Sequence, residues 1–128
     1  MTRQTRMSDK TEFSIWLREC SELDSEKGFN TTDIDYLWSD GTFWMVLDEK
    51  RWMGELLYKQ KVLYQKIHNN TVRAEDFTYH GTHIIQFENK SPLDGKIYLD
   101  HKEIGVKKLI EFLKFRLPIE YYKTIVFI

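Results

Sequence analysis

The sequence predicts a mixed α/β domain with a central sheet flanked by helices, on three observations. Segments in which apolar residues recur every three or four positions alternate along the chain with short runs rich in β-branched and aromatic residues. Their order is helix, two or three strands, helix, strands, helix, strand, which is the pattern of a sheet covered by helices. At 128 residues, with 41% hydrophobic and 15% aromatic side chains, the chain suits one domain with an ordinary core.

The first helix is expected in "SDKTEFSIWLRECSE", where Ser8 or Asp9 can cap and Phe13, Trp16, Leu17 and Cys20 recur at helical spacing. Gly28 is a stop signal. A hairpin follows, with Asp40-Gly41 as a two-residue turn that tolerates positive φ. A second helix is expected over Gly54–Asn69, with Leu56, Leu57, Gln60, Leu63, Tyr64 and Ile67 in one arc. "THIIQFE" and "KIYLD" then read as strands. Asp100 and Glu103 form a D-x-x-E capping pattern opening a third helix to about Arg116, with Val106, Ile110, Leu113 and Leu117 inward. Pro118 ends it, and "YKTIVFI" reads as a final buried strand. There is no internal repeat or linker, so residues 1–8 are expected as a polar, flexible segment and 9–128 as one domain.

Charge and cysteine content narrow the setting. Nineteen basic and twenty acidic side chains give a net charge of −1, so any attraction to a polyanion must be local. The lone Cys20 excludes an intramolecular disulfide and suits a reducing compartment. With no apolar run near the roughly 18 residues of a membrane span, and no signal-peptide core at the start, a cytoplasmic protein without a membrane partner is expected.

The hairpin "TTDIDYLWSDGTFWMVLDEKRW" carries acids where a buried strand would carry Val or Ile. Side chains alternate across a strand. A two-residue turn pairs Ser39 with Thr42, Asp35 with Val46 and Asp33 with Asp48, and a four-residue loop would keep that register. One face then carries Asp33, Asp35, Asp48 and Lys50. Converging carboxylates repel and are costly to bury unpaired, and a divalent cation relieves that cost. Mg²⁺ is commonly held by one or two carboxylates plus waters and phosphate oxygens, which Asp35 and Asp48 could provide. Lys50 can position or deprotonate a water on the ion, or neutralise a phosphate. Glu49 has the opposite parity, so only its backbone carbonyl could reach the ion.

The run D35-x12-D48-x-K50 resembles the PD-(D/E)XK nuclease superfamily, and Gln60-x-x-x-Tyr64, ten residues after Lys50, is similar to the Q-x-x-x-Y motif of its RecB-type branch. The resemblance covers about a quarter of the chain, from Thr32 to Tyr64. It implies a restriction-endonuclease-like core of α-β-β-β-α-β order, with Mg²⁺ or Mn²⁺ as cofactor. It also implies hydrolysis of phosphodiester bonds by metal-activated water, in DNA more than in RNA. Asp35, Asp48, Lys50 and Gln60 would be catalytic, and Asp35, Asp48 and the Glu49 carbonyl would hold the metal. Asp33 stands where a RecB-type glycine often lies and is an auxiliary neighbour. The first helix has no RecB-type histidine, and Glu12 or Glu19 could substitute for it. Small nucleases of this kind are often homodimers, with Trp52, Met53 and the apolar C-terminus as candidate surface here.

The plain readings are a strand ending in surface charge, a satisfied core Gln60 and a solvated helix face. On the last, six basic residues and one acid lie between Lys50 and Arg73. The functional reading makes Arg51, Trp52, Lys59 and Lys66, with Tyr64 from the motif, a path for nucleic acid. His80 and His83 have a metal-site spacing, but Gly81 and the strand context speak against one. The alternative to an enzyme is a catalytically inactive nuclease-fold module that binds nucleic acid or serves an assembly.

Overall fold

The computed structural model describes residues 12–23, 25–27 and 35–123. The chain divides into two compact units, Met1–Thr31 and Thr32–Ile128. In the first, α1 spans Glu12–Glu19 and is followed by two 3₁₀ turns, Ser21–Leu23 and Ser25–Lys27. Phe13 and Trp16, three residues apart, stack with ring centroids 5.9 Å apart on an exposed face. Cys20 is a free, half-buried thiol. The capping residues Ser8 and Asp9, and Gly28, lie outside the described residues, as do Asp33 and the last five residues of the expected final strand.

The second unit is built on a five-stranded mixed sheet in the order β1-β2-β3-β4-β5. The strands are β1 (Tyr36–Ser39), β2 (Trp44–Lys50), β3 (Tyr79–Phe87), β4 (Ile97–Leu99) and β5 (Lys102–Ile104). β2 and β3 are parallel and joined by the crossover helix α2 (Tyr58–Arg73), while every other neighbouring pair is antiparallel. After β5 come α3 (Val106–Leu113) and a 3₁₀ turn, Ile119–Tyr122. The α/β class and mixed central sheet are as expected. The order of helix, two strands, helix, strands and helix also follows the residue pattern, whereas the α-β-β-β-α-β order implied by the resemblance is not seen among the described residues: two strands precede α2, three follow it, and they read α-β-β-α-β-β-β-α.

The β1–β2 loop corrects the expected register. It has four residues, so Ser39 pairs with Trp44, Leu37 with Val46 and Tyr36 with Leu47. The side chain of Asp40 explains the longer loop: its Oδ1 accepts from the backbone N–H groups of Thr42 (2.9 Å) and Phe43 (2.8 Å). Those N–H groups hold the carboxyl below its ordinary value. Adding two residues to the loop moves each partner by two and preserves parity, contrary to the expectation of an unchanged register.

The sheet buries different residues on its two faces. Val46 and Ile84 pack under Leu56 and Tyr64, with Trp44 and Ile67 alongside. The other face, the larger core, joins Met45, Leu47, Ile85, Phe87, Ile97, Leu99 and Ile104 to Leu109, Phe112 and Tyr122. Phe112 is fully buried, stacks on Tyr122 with centroids 5.0 Å apart, and meets the edge of His83 at 5.1 Å.

Two helices differ from the sequence reading. α2 begins four residues late, at Tyr58, because Gly54–Leu57 run as a non-helical connection off β2. Its inward row is therefore Gln60, Tyr64 and Ile67, while Leu57 (70% exposed) and Leu63 face outward. The Asp100–Glu103 capping box does not form. Asp100 and His101 adopt left-handed φ of 50° and 70° and make the two-residue turn between β4 and β5. The helix starts only after Gly105 and buries Leu109 and Phe112, whereas Val106 and Ile110 are exposed.

Phe112→Ala is expected to cost about 3–5 kcal/mol of stability, the range for truncating a fully buried Phe. Urea denaturation should show the midpoint falling while the slope is kept. A loss below about 1 kcal/mol would mean that this core is not the main one.

Candidate active site

The site lies at the carboxyl ends of the only parallel pair among the described strands, where β2 and β3 finish and α2 begins. Open α/β sheets commonly bind ligands at this position. Asp48 and Lys50 are the alternate residues of β2 that face α2. Continuing the β1–β2 ladder by one residue sets Asp35 across from Asp48. Asp35 Oδ2 accepts the backbone N–H of Glu49 at 3.0 Å, which ties the chain before β1 to the end of β2.

Asp48 is 2% exposed. The Tyr64 hydroxyl donates to its Oδ2 at 2.5 Å, and the Lys50 ammonium lies 3.3 Å from its Oδ1 as an ion pair. Oδ1 nevertheless receives no hydrogen bond of acceptable geometry. Burial pushes the Asp48 carboxyl above its ordinary value, and the Asp35 charge pushes it the same way. The Tyr64 hydroxyl and Lys50 pull it down without overcoming burial.

Gln60 joins the helix to this group. Its Oε1 accepts from Lys50 Nζ at 3.3 Å and from the backbone N–H of Leu57 at 3.0 Å. The second bond satisfies an otherwise unpaired N–H at the start of α2, as a Gln three residues into a helix can. Tyr64 is one turn further on the same face. Gly54 lies close to Lys50 along the turn: an added Cβ there would be in ordinary contact with Lys50 Cβ at 3.5 Å and 3.3 Å from the Arg51 carbonyl oxygen. Lys50 is thus held between Asp48, Gln60 and the backbone turn.

The structure brings Asp35, Asp48, Lys50, Gln60 and Tyr64 together on one sheet face. Tyr64 is 1% exposed, so it acts on Asp48 and not as a surface contact for nucleic acid. Glu49 points to the opposite face, where it accepts from the Tyr36 hydroxyl and pairs with Arg51, both at 3.2 Å. Trp52 is 60% exposed, and Lys59 and Lys66 are exposed on α2. Trp52 and Met53 take left-handed φ of 51° and 57°. Their N–H groups donate to the carbonyls of Asn89 (3.1 Å) and Phe87 (2.8 Å). Glu12 and Glu19 lie on α1 in the first unit.

Among the described residues no group of three or more His, Cys, Asp and Glu is placed to hold a metal ion. The histidines of "HGTH" share a face because Gly81, at φ 95°, makes a bulge in β3. They serve packing: His83 bonds Asp100 at 2.6 Å and the His80 carbonyl at 2.7 Å, and His80 lies against Phe43, Phe115 and Tyr122.

Gln86 was missed from the sequence. It is the β3 register partner of Lys50, 1% exposed, and its Nε2 donates to the Gly54 carbonyl and to Glu55 Oε1, each at 3.0 Å. The signal was present in "THIIQFE", where a Gln shares the face of Ile84 in a buried strand.

Compared with known proteins, the chain matches no family model, no curated protein and no solved structure. No helix among the described residues is long and apolar enough to cross a membrane.

A buried carboxyl that is harder to ionise when folded makes the folded state lose stability as pH rises. The loss begins at the unfolded value, 3.8, and is complete above the folded one. Asp48→Asn is therefore expected to be more stable than wild type at pH 7, with the gain vanishing below about pH 3.8. Urea denaturation across that pH range measures it. An equal effect at both ends would show that Lys50 and Tyr64 offset the burial in full.

Proposed function

We propose that this chain is a divalent-metal-dependent nuclease of the PD-(D/E)XK kind, hydrolysing phosphodiester bonds in nucleic acid, DNA before RNA. One observation carries the reading: Asp48 is buried at a strand end with one oxygen lacking a hydrogen bond, across from Asp35 and beside Lys50. An acid placed so is destabilising by itself and suits a cation.

The donor set fits Mg²⁺ or Mn²⁺. Both ions take hard oxygen ligands, and Mg²⁺ is usually bound by one or two carboxylates with waters and substrate oxygens for the rest. Asp35 and Asp48 would hold the ion, with the Glu49 carbonyl on the strand between Asp48 and Lys50. When bound, the ion would act as a Lewis acid on a phosphoryl oxygen and make water a better nucleophile.

The protein groups have distinct tasks. Tyr64 fixes Asp48 by holding Oδ2, so that Oδ1 is directed to the ion. Gln60 holds the Lys50 ammonium away from a fully closed ion pair with Asp48. The ammonium can then orient an attacking water or neutralise charge on the scissile phosphate. Lys59 and Lys66 neutralise flanking phosphates and Trp52 offers a ring for a base to stack upon, whereas Arg51 is paired with Glu49 on the opposite face.

Single-stranded, duplex, branched and RNA substrates with Mg²⁺, Mn²⁺ or a chelator test the reading. Wild type should cut only with metal, and Asp35→Ala, Asp48→Ala and Lys50→Ala should each lose about 10²–10³-fold in rate. Binding without cutting would favour an inactive nucleic-acid-binding module, and variants as active as wild type would overturn the mechanism. Separately, Lys59→Ala and Lys66→Ala should each flatten the slope of log Kd against log salt by about 0.9 if each neutralises one phosphate. An unchanged slope removes that residue from the path.

A further inference from the structure

Two buried side-chain oxygens among the described residues receive no hydrogen bond: Asp48 Oδ1 and Gln86 Oε1. They belong to neighbouring parallel strands and to the same sheet face. Lys50, two residues from Asp48, is the register partner of Gln86. The orientation of the Gln86 amide is fixed by its partners. Its nitrogen donates to two acceptors, the Gly54 carbonyl and Glu55 Oε1, so nitrogen and oxygen cannot be exchanged, and the atom left over is the carbonyl oxygen. Lys50, the register partner of Gln86, is engaged with Gln60 Oε1 and Asp48 Oδ1, each at 3.3 Å.

A buried polar atom that receives no hydrogen bond calls for an explanation, and here two such atoms, one of them also ion-paired with Lys50, have a common one. A carbonyl oxygen is a neutral ligand for a hard cation. It supplies coordination without adding a third negative charge to two carboxylates that already repel each other. Its amide nitrogen locks the rotamer against β2's continuation, so the oxygen is positioned before any ion arrives. We infer that Gln86 Oε1 is a third oxygen of the cation site formed with Asp35 and Asp48. The inference rests on the metal-dependent reading above and concerns the composition of the site.

The test is Mn²⁺ binding to the full chain without nucleic acid, by calorimetry and electron paramagnetic resonance. Gln86→Met should weaken binding at least about tenfold, the lower range for removing a supporting group of a metal site. Gln86→Glu, which sets a charged oxygen in the same place, should tighten it. In unmutated protein, Mn²⁺ should broaden the side-chain amide signal of Gln86 at concentrations that leave that of Gln65 sharp, a measurement that does not depend on any variant folding. If wild type binds Mn²⁺ while the Gln86 signal stays sharp, or both variants bind as wild type does, Gln86 is only a clamp on Gly54 and Glu55. The nuclease reading then stands. If wild type binds no Mn²⁺ at all, the nuclease reading falls, and this inference with it.

Discussion

The second unit is organised around a carboxylate that the fold buries and does not fully satisfy. Asp48 occupies a position on β2 where an aliphatic residue would extend the core of Val46 and Ile84. Its neighbours are arranged to contain the cost. Tyr64 donates from α2 and Lys50 supplies the opposite charge from the same strand, while Asp35, whose charge adds to the cost, is tied to the Glu49 N–H from the neighbouring chain segment. The crossover helix is thus attached to the sheet at its start by polar bonds, and by apolar packing further along through Ile67. Gln60 does double service, capping α2 and holding Lys50, so the placement of the helix and the geometry of the site are one constraint.

Much of the site was legible in the sequence because strand periodicity is strict. Parity alone put Asp35, Asp48 and Lys50 on one face and Glu49 on the other. The register was not legible, since it depended on whether the Asp40 side chain would cap a four-residue loop. The shift moved Asp48's counterpart from Asp33 to Asp35 without changing the face. Gln60 stands out in an apolar helical row, whereas Gln86 in an apolar strand does not. Gln86 has no spacing relation to the acids in sequence, and only the parallel pairing of β2 with β3 sets it beside Lys50.

The departures of the C-terminal third from local sequence pattern share a cause. Asp100 and Glu103 have the spacing of a capping box, but the same residues can make a tight hairpin once Asp100 has a tertiary partner. Its Oδ2 meets His83 and its Oδ1 accepts the Ile84 N–H, and its own N–H bonds the Ile84 carbonyl. These bonds to β3 stabilise the turn and outweigh a local helix signal. With the helix start displaced to Gly105, the buried stripe rotates onto Leu109 and Phe112. Local pattern reads which residues are apolar, and tertiary bonds decide which turn they begin from.

The turn after β2 is stitched to the loop between β3 and β4. Trp52 and Met53 donate to the carbonyls of Asn89 and Phe87, and the Asn89 side chain in turn donates to the Asp94 carbonyl. Gly95, at φ 105°, completes the closure, since a Cβ there would come within 2.7 Å of both the Asn89 amide and the Glu88 carboxylate. The loop therefore works as a mechanical brace. Loosening it by insertion or by a side chain at position 95 would be transmitted along two backbone bonds to Lys50, far in sequence from the altered residue. Variants altered in this loop would thereby differ in the rigidity of the site without any change in its chemistry.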